Sequence, residues 1–300
     1  VNAALYRSVL PAENLLLVNT PTRFNSETTK NLARRLAENL EAPFVELPID
    51  SFINETVSQI DDLQIPSPSD MKTLHLTGFM KENIQARDRS TRILATLSSA
   101  FGGIFTCNTN KTELTVGYGT LYGDLSGALA ATADLWKHQV YALGRTLNRY
   151  FDKNMIPDEI FTVRPSAELS ENQDITKGLG DPLIYEYHDF LFRSFIEPWN
   201  RITPEEILTW YSKNCLEEKL GTPVSIKSIF KTHHDFITDL EKWWNLFAGF
   251  AVAKRIQAPP LLAVSRRPYG YDLRESQITP YYTDTYIHLK NSLLSNGRAT

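Results

Sequence analysis

Cysteine is scarce in this sequence: Cys107 and Cys215 are its only two, and neither stands in a CxxC or Cys/His spacing. Their scarcity argues against a disulfide framework and against a structural zinc site. It is typical of a reducing compartment, and we therefore expect the cytoplasm. Long apolar runs are also missing. The longest candidates, residues 15–18 and 246–253, fall far short of the roughly 20 residues of a membrane-spanning helix, so no membrane partner is expected.

Positive charge is not in excess either. The 31 basic and 35 acidic side chains give a formal net charge of −4, which leaves no global positive field to hold a nucleic acid. Glycine and proline number 14 and 16, too few for a fibrous or disordered chain. GxSxG, HExxH and Walker loops are absent, so serine hydrolases, zinc proteases and P-loop kinases have no support. The 300 residues suit one large globular domain or two small ones.

The N-terminal region alternates strands and helices. Residues 13–19 are a continuous apolar run that predicts a strand buried on both faces, and residues 43–49 predict a second strand. Between them, residues 26–40 carry leucine at every fourth position and predict a helix capped by Asn25 or Ser26. Because this spacing requires a crossover, we predict a parallel pair. The fold class is α/β, an open, Rossmann-like parallel sheet with helices on both faces.

Further elements are predicted along the rest of the chain. In the N-terminal region they are a mobile loop at residues 65–70, a helix over residues 78–101, a strand at residues 103–107, a helix from an Asp134 cap through Leu147, and a short strand at residues 160–163. After them come a helix over residues 182–197, a helix from the Thr203 capping box to Gly221, a helix over residues 226–257, and an extended tail in the last forty residues. We expect an α/β core over residues 1–170 and a helical C-terminal part over residues 171–300.

Candidate chemistry concentrates in residues 108–124, NTNKTELTVGYGTLYGD. This block follows the third predicted strand, and open parallel sheets bind ligands at the carboxyl ends of their strands. Glu113 and Asp124 are possible metal carboxylates, Lys111 is a nearby cation, and three glycines let a ligand approach the backbone. The alternative is a glycine-rich loop around a helix start, with Glu113 in solvent.

Basic side chains elsewhere suit anionic ligands. Asn83 and Arg87 are four residues apart on one predicted helix and so share a face, an arrangement that suits a carboxylate or a phosphate. Lys137 could meet a phosphate as a point charge. Solvated helix surface is the alternative for all three, and Lys254 with Arg255 could instead complement the negative end of a helix dipole.

Seven segments in order resemble the synthetase half of the glutamine-dependent NAD synthetases, which belong to the N-type ATP pyrophosphatase superfamily. The segments are VNTPTRFNSETTKNLA at residues 18–33, KENIQAR at 81–87, NKTELTVGYGTLYGD at 110–124, ADLWKHQVY at 133–141, RPSAEL at 164–169, AKRIQAPP at 253–260 and YGYDLRESQ at 269–277. The resemblance implies a ligase of NAD biosynthesis. In this reaction ATP adenylates the carboxylate of deamido-NAD, with Mg²⁺, and ammonia derived from glutamine then displaces AMP to give NAD.

The resemblance also implies roles for particular residues. It implies that Glu113 binds Mg²⁺ or the substrate, and that Glu113 and Lys137 are catalytic. It implies that ATP contacts Asn108, Lys137 and Ser166. The residues that it implies for deamido-NAD are Asn83, Glu113, Tyr118, Gly119, Thr120, Leu121 and Lys254. We add Arg87 to the deamido-NAD set because it shares a helix face with Asn83. We expect the loop at residues 65–70 to close over the adenylate and exclude water. A homo-oligomer is also implied.

Two departures from the family pattern accompany the resemblance. In the family the loop SGGxDS and a nitrilase-like glutaminase domain precede the helix with which this sequence opens, so we expect both to be absent from it. Asn108 stands where a nucleotide-contacting threonine is usual. The alternatives are a non-catalytic nucleotide-binding or assembly fragment, and another superfamily member such as a GMP or asparagine synthetase.

Overall fold

The structure is a computed structural model that describes residues 1–265, Pro268 and residues 280–295. The chain forms two compact units. Unit 1 comprises Val1–Asn108, Thr120–Leu129 and Val140–Pro182, and unit 2 comprises Thr109–Gly119, Ala130–Gln139 and the described residues from Leu183 onward. The sequence-based division at residue 170 stays a prediction.

Helices predominate in both units, and the strands are short. The helices are α1 (Asn2–Arg7), α2 (Glu27–Leu40), α3 (Asp50–Ile60), α4 (Gly78–Arg87), α5 (Ala95–Phe101), α6 (Lys111–Val116), α7 (Lys137–Tyr150), α8 (Tyr185–Ile196), α9 (Pro204–Ser212), α10 (Leu216–Leu220), α11 (Ile226–Ile229), α12 (His233–Ala248), α13 (Ala251–Gln257) and α14 (Asp284–Ser295). The strands are β1 (Leu17–Asn19), β2 (Phe44–Glu46), β3 (Gln64–Pro66) and β4 (Met71–Thr73).

Unit 1 contains the predicted β-α-β crossover. Strands β1 and β2 pair in parallel with Leu17 opposite Phe44, and α2 connects them, as the spacing requires. The hydroxyl of Ser26 accepts the N–H of Thr29 at 3.2 Å and caps α2. Both strands are shorter than predicted, and in the first apolar run a 3-10 turn at Ala12–Asn14 occupies the start.

A continuous helix runs over residues 78–101, as predicted. It consists of α4, a π-helical segment at Asp88–Leu94, and α5. The segment after it differs from the prediction, because residues 103–107 are irregular rather than a strand. Ladder-like bonds still form there, from Ala128 N to Phe105 O and from Cys107 N to Leu129 O, each at 2.9 Å. A run of two such bonds is too short to make a strand.

Two other short segments of unit 1 differ from their predictions in secondary structure. Ile65 and Pro66 end β3, and residues 67–70 form the turn of the β3–β4 hairpin, closed by the bond from Ser67 N to Asp70 O at 2.9 Å. The mobility of this loop stays a prediction. Residues 160–163 are not a strand, because Pro157 followed by acidic residues begins a 3-10 helix at Asp158–Phe161. A short apolar run can adopt a strand or a turn, and in both segments the residues that favour turns determined the conformation.

An apolar cluster in unit 1 packs the N-terminal helix against the crossover helix. Its buried members are Ala4, Leu40, Leu147, Met155 and Ile156. The cluster therefore joins residues from α1, α2 and α7, as well as the turn that follows α7, and fixes the helical layer beside β1.

Unit 2 is helical in its described C-terminal part, as predicted. An aromatic core forms where α8 meets α12, with His188 stacked against Phe192 and Trp243 set edge-on to both rings. All three side chains are buried. The capping box at Thr203 and Glu206 and the proline at the first turn of α9 are present as predicted.

Three long C-terminal predictions need correction. The helix predicted to end at Gly221 is interrupted by Asn214 in the left-handed conformation, and Gly221 instead caps α10. The helix predicted over residues 226–257 is three helices, because Thr232 caps a new start and Gly249 ends α12. The predicted extended tail contains α14. None of the helices that the structure describes combines the length and the apolar character needed to cross a bilayer.

Candidate active site

Glu113 lies in the first turn of α6, in unit 2. The side chain of Asn110 accepts the N–H of Glu113 at 3.0 Å, and Glu113 Oε2 accepts the N–H of Asn110 at 3.2 Å. This reciprocal capping box satisfies two backbone donors that a helix start otherwise leaves unpaired. Glu113 is therefore held at its helix terminus and is not a solvent-directed side chain.

The other carboxylate oxygen of Glu113 faces a cation and a phenol. Lys137 Nζ and the hydroxyl of Tyr185 both donate to Glu113 Oε1, each at 3.4 Å. Lys137 Nζ also lies 4.7 Å from the centre of the Tyr185 ring. The Glu113 and Lys137 side chains are each 18% exposed, so their charges interact more strongly than charges in bulk water. We call Glu113, Lys137 and Tyr185 the glutamate cluster.

Helix α7, which carries Lys137, begins two residues later than a helix capped by Asp134 would, and Asp134 does not cap it. The backbone N–H of His138 donates to Asp189 Oδ2 at 2.9 Å, and that of Lys137 donates to the Thr112 hydroxyl at 3.2 Å. The cap therefore comes from side chains on α8 and α6, which are distant in sequence. Local capping preference pointed to Asp134, but tertiary contacts supply the acceptors.

Asp134 instead lies in a buried ion pair. Lys111 Nζ donates to Asp134 Oδ1 at 2.9 Å, and both side chains are 0% exposed. The backbone N–H groups of Val264 and Ser265 donate to Asp134 Oδ2, at 2.7 and 2.6 Å. Burial by itself raises the pKa of Asp134, but the bonds from Lys111 and from residues 264–265 outweigh it and hold that pKa below its ordinary value. Lys111 is thus a structural cation, not one presented to a ligand.

Lys254 lies across the end of α6. Its Nζ donates to the carbonyl of Gly117 at 2.6 Å, next to Tyr118 in the glycine-rich block. Gly117 has φ +65°, and a Cβ there would lie 2.8 Å from Lys254 Cδ and 3.0 Å from Ala251. Glycine is therefore required at position 117 by both its conformation and the close approach of α13. Of the predicted deamido-NAD residues in unit 2, Lys254, Tyr118 and Gly119 lie around this contact.

The predicted deamido-NAD residues in unit 1 form a second group. Asn83 Oδ1 accepts the hydroxyl of Thr120 at 2.6 Å, and Arg87 Nε donates to the carbonyl of Leu121 at 3.2 Å. Asn83 and Arg87 thus share one face of α4, as their spacing predicts. Asp124 Oδ1 accepts the N–H of Thr120 at 2.6 Å, so Asp124 closes the turn in this segment.

Asn108 and Ser166, two of the three predicted ATP contacts, bond to other residues of unit 1. Asn108 accepts the side-chain N–H of Asn2 at 2.9 Å. The Ser166 hydroxyl donates to the carbonyl of Gln173 at 2.6 Å and accepts the N–H of Glu168 at 3.1 Å. Buried Glu168 in turn accepts the N–H of Ser26 at 3.1 Å, which ties the RPSAEL segment to the start of α2.

Sequence reasoning missed Thr112, Tyr185 and Asp189. Asp189 and Tyr185 lie one turn apart on a helix that is otherwise dominated by buried apolar and aromatic residues. Asp189 lies among the buried residues of this helix, whereas Glu186 is exposed. A carboxylate needs partners when it is buried, and this signal was available in the sequence. The YGYDLRESQ segment at residues 269–277 lies outside the described residues.

Chemically, the glutamate cluster combines a carboxylate, an ammonium group and a phenol. A carboxylate supported by a helix terminus suits a hard cation, and a lysine beside it suits phosphate oxygens. The contacts from Lys137 and Tyr185 to Glu113 Oε1 are long for hydrogen bonds, so another ligand can replace either donor without breaking the capping box, which uses the other oxygen.

Comparison with known proteins gives a consistent result. The family model described as NAD synthase matches residues 1–228. A glutamine-dependent NAD(+) synthetase of Thermotoga maritima is 32% identical over 205 residues, which cover 68% of this chain and 33% of that protein. An NH(3)-dependent NAD(+) synthetase of Helicobacter hepaticus is 30% identical over 221 residues, covering 73% of this chain and 75% of that protein.

A solved structure supports the fold. The crystal structure of a glutamine-dependent NAD(+) synthetase from Cytophaga hutchinsonii superposes with a TM-score of 0.62 at 20% identity, over 93% of this chain and 40% of that chain. At this identity the likeness establishes the fold alone, and it confirms the predicted α/β class. The chain spans about a third of the length of the Thermotoga relative.

Proposed function

The chain belongs to the NAD synthase family, and from that premise we propose that it performs the ATP-dependent amidation of deamido-NAD to NAD. The carboxylate of deamido-NAD attacks the α-phosphorus of ATP and pyrophosphate leaves; ammonia then attacks the adenylated carbonyl and AMP leaves. Glutamine supplies the ammonia in the complete enzyme through a glutaminase domain. The observation that carries this proposal is the family match over residues 1–228.

The first step needs control of charge more than a base. A carboxylate is already ionised at neutral pH, so the site has to bring two anionic nucleotides together. Lys137 lies 3.4 Å from Glu113 Oε1 and can turn its ammonium group to a phosphate oxygen. We assign Lys137 to the ATP phosphates, together with Asn108 and Ser166 as further ATP contacts.

Mg²⁺ fits Glu113. Proteins commonly hold this ion through one or two carboxylates together with the phosphates of the substrate, and Glu113 Oε1 has only long contacts to give up. Bound magnesium would neutralise phosphate charge as it develops. Glu113 holds the ion in this assignment, and its Oε2 stays in the capping box.

Deamido-NAD is assigned to two groups of residues. One is the Asn83 and Arg87 face of α4 with Thr120 and Leu121, and the other is Lys254 with Tyr118 and Gly119. The α4 group offers amide and guanidinium donors, which suit phosphate or carboxylate oxygens. The same proposal includes an α/β core over residues 1–170, a helical part over residues 171–300, and assembly as a homo-oligomer.

A matched pair of glutamates tests the proposal. Glu113 and Glu206 both close capping boxes, and glutamine can replace glutamate in that role. In the complete enzyme with ATP, Mg²⁺, deamido-NAD and ammonium, we expect NAD and AMP in equal amounts. Glu113→Gln should lower deamido-NAD-dependent pyrophosphate release far more than it weakens ATP binding, and Glu206→Gln should change neither.

Each failure has a distinct meaning. Unchanged pyrophosphate release by Glu113→Gln would remove Glu113 from the reaction. ATP binding with no NAD or AMP formed in the unsubstituted enzyme would favour the non-catalytic nucleotide-binding alternative. Amidation of a different nucleotide or of an amino acid would point to another member of the superfamily.

A further inference from the structure

Asp189 carries a buried carboxylate and is not among the residues assigned to the candidate site above. It lies on α8, and its side chain is 0% exposed. Its Oδ1 accepts the hydroxyl of Thr112 on α6, and its Oδ2 accepts the backbone N–H of His138 at 2.9 Å and contacts His138 Nδ1 at 2.7 Å. A buried charge is costly without partners, and here all of these partners come from the starts of two other helices.

The bonds continue through Thr112. Its hydroxyl donates to Asp189 and accepts the backbone N–H of Lys137 at 3.2 Å. The first two N–H groups of α7 are therefore bound, His138 by Asp189 directly and Lys137 through Thr112. A negative charge at a helix N-terminus is favourable, and this one is shielded from water.

The position of these bonds along the chain connects them to the glutamate cluster. Thr112 directly precedes Glu113, and His138 directly follows Lys137. One carboxylate therefore fixes the backbone beside both members of the pair whose side chains meet at 3.4 Å. A shift of either helix start would separate that pair.

We propose that Asp189 is a positioning residue for the amidation: its carboxylate holds the starts of α6 and α7 together so that Lys137 faces Glu113. This role rests on the proposed function. Asp189 acts through Thr112 and the backbone of α7 and contacts neither nucleotide. Its carboxylate is required because two oxygens accept donors from two helices, whereas an asparagine offers only one acceptor oxygen.

The experiment uses the complete enzyme and four variants. Asp189→Asn keeps the size and removes the charge. Thr112→Val keeps the shape and removes the bridging hydroxyl, and Thr112→Ser restores that hydroxyl. Asp239→Asn is the matched control, because Asp239 also bonds a histidine and a second donor, at 3.0 Å from His188 and 2.9 Å from Trp243, within the aromatic core.

Two measurements separate positioning from stability. A misplacement of about 1 Å can cost about 100-fold in rate, so we expect Asp189→Asn and Thr112→Val to lower kcat by roughly 10- to 100-fold, with much smaller changes in KM. Thr112→Ser should retain kcat. Asp239→Asn should lower the melting temperature and leave kcat unchanged. Amide hydrogen exchange at Lys137 and His138 should become faster in Asp189→Asn and Thr112→Val but not in Asp239→Asn.

The results distinguish this role from the proposed function. Equal kcat in Asp189→Asn and the unsubstituted enzyme overturns the positioning role, as does an equal loss in Thr112→Val and Thr112→Ser. If the unsubstituted enzyme forms no NAD, the proposed function fails instead. In that case amide hydrogen exchange still tests whether Asp189 positions the helix starts, and unchanged exchange in Asp189→Asn overturns that role. If Asp189→Asn does not fold, the Thr112 pair provides the same comparison.

Discussion

Replacing Lys111 with methionine tests the buried ion pair in unit 2. The substitution keeps most of the apolar stem, so it removes the charge with little change in packing. It leaves the buried carboxylate of Asp134 without the ammonium group that lies 2.9 Å away. Breaking a buried pair by removing one partner typically costs 3–5 kcal/mol, an approximate range.

The remaining contacts place the expected cost at the lower end. Asp134 keeps the N–H groups of Val264 and Ser265 and the hydroxyl of Ser265, the last at 2.8 Å. Glu197, the second acid near Lys111 at 3.5 Å, is 34% exposed and loses little. We expect Lys111→Met to lower the free energy of unfolding by about 3 kcal/mol. For a unit of this size that is a fall of roughly 6 to 12 °C in melting temperature.

Thermal and urea unfolding of Lys111→Met, Asp134→Asn and the double variant provide the assay. The double variant should lose less than the sum of the single variants, because it leaves no isolated buried charge. A loss below about 1 kcal/mol in Lys111→Met would refute the reasoning, since a surface pair would give that value.

The pH dependence follows from the same pair. The folded pKa of Asp134 lies below its ordinary value of 3.8, so its carboxylate binds fewer protons in the folded state than in the unfolded state. Its stabilisation is present above the unfolded pKa and is lost as the pH falls from about 4 through the folded pKa. Asp134→Asn should lack this part of the acid-induced loss, measured as melting temperature against pH.

Two further substitutions test the end of α6. Lys254→Ala should chiefly raise the KM for deamido-NAD in steady-state assays, and an effect confined to ATP would reassign Lys254. Gly117→Ala should destabilise the protein by roughly 1–3 kcal/mol in thermal unfolding, because alanine is strained at φ +65° and its Cβ would lie 2.8 Å from Lys254 Cδ. Unchanged stability in Gly117→Ala would mean that the α6 end adapts easily.

Local signals in the sequence predicted much of the fold. The β1, α2 and β2 crossover followed from an apolar run, a leucine stripe and a second apolar run, all within residues 13–49. The caps at Ser26 and Thr203 formed as predicted because each cap bonds its own helix, three residues along the chain. Where the partner is local, residue preference and structure agree.

Long-range partners explain the error at the start of α7. Asp134 has a side chain that commonly caps helices, but it forms an ion pair with Lys111 at the start of α6. Asp189, which is 51 residues from His138 in sequence, caps α7 instead. No local pattern carries that pairing. In the candidate site, the shared face of Asn83 and Arg87 followed from their spacing alone. The meeting of Glu113 and Tyr185 depends on packing between α6 and α8, which the sequence does not display.

The way the chain threads between the two units limits how it can be divided. Unit 2 takes its first two segments, Thr109–Gly119 and Ala130–Gln139, from between stretches of unit 1. A polypeptide that starts at Leu183 would therefore lack both Glu113 and Lys137, and one that stops at Pro182 would lack Tyr185. Any cut between Glu113 and Tyr185 separates members of the glutamate cluster, including cuts at the unit boundaries within that stretch. Domain-exchange experiments therefore have to keep residues 113–185 on one polypeptide.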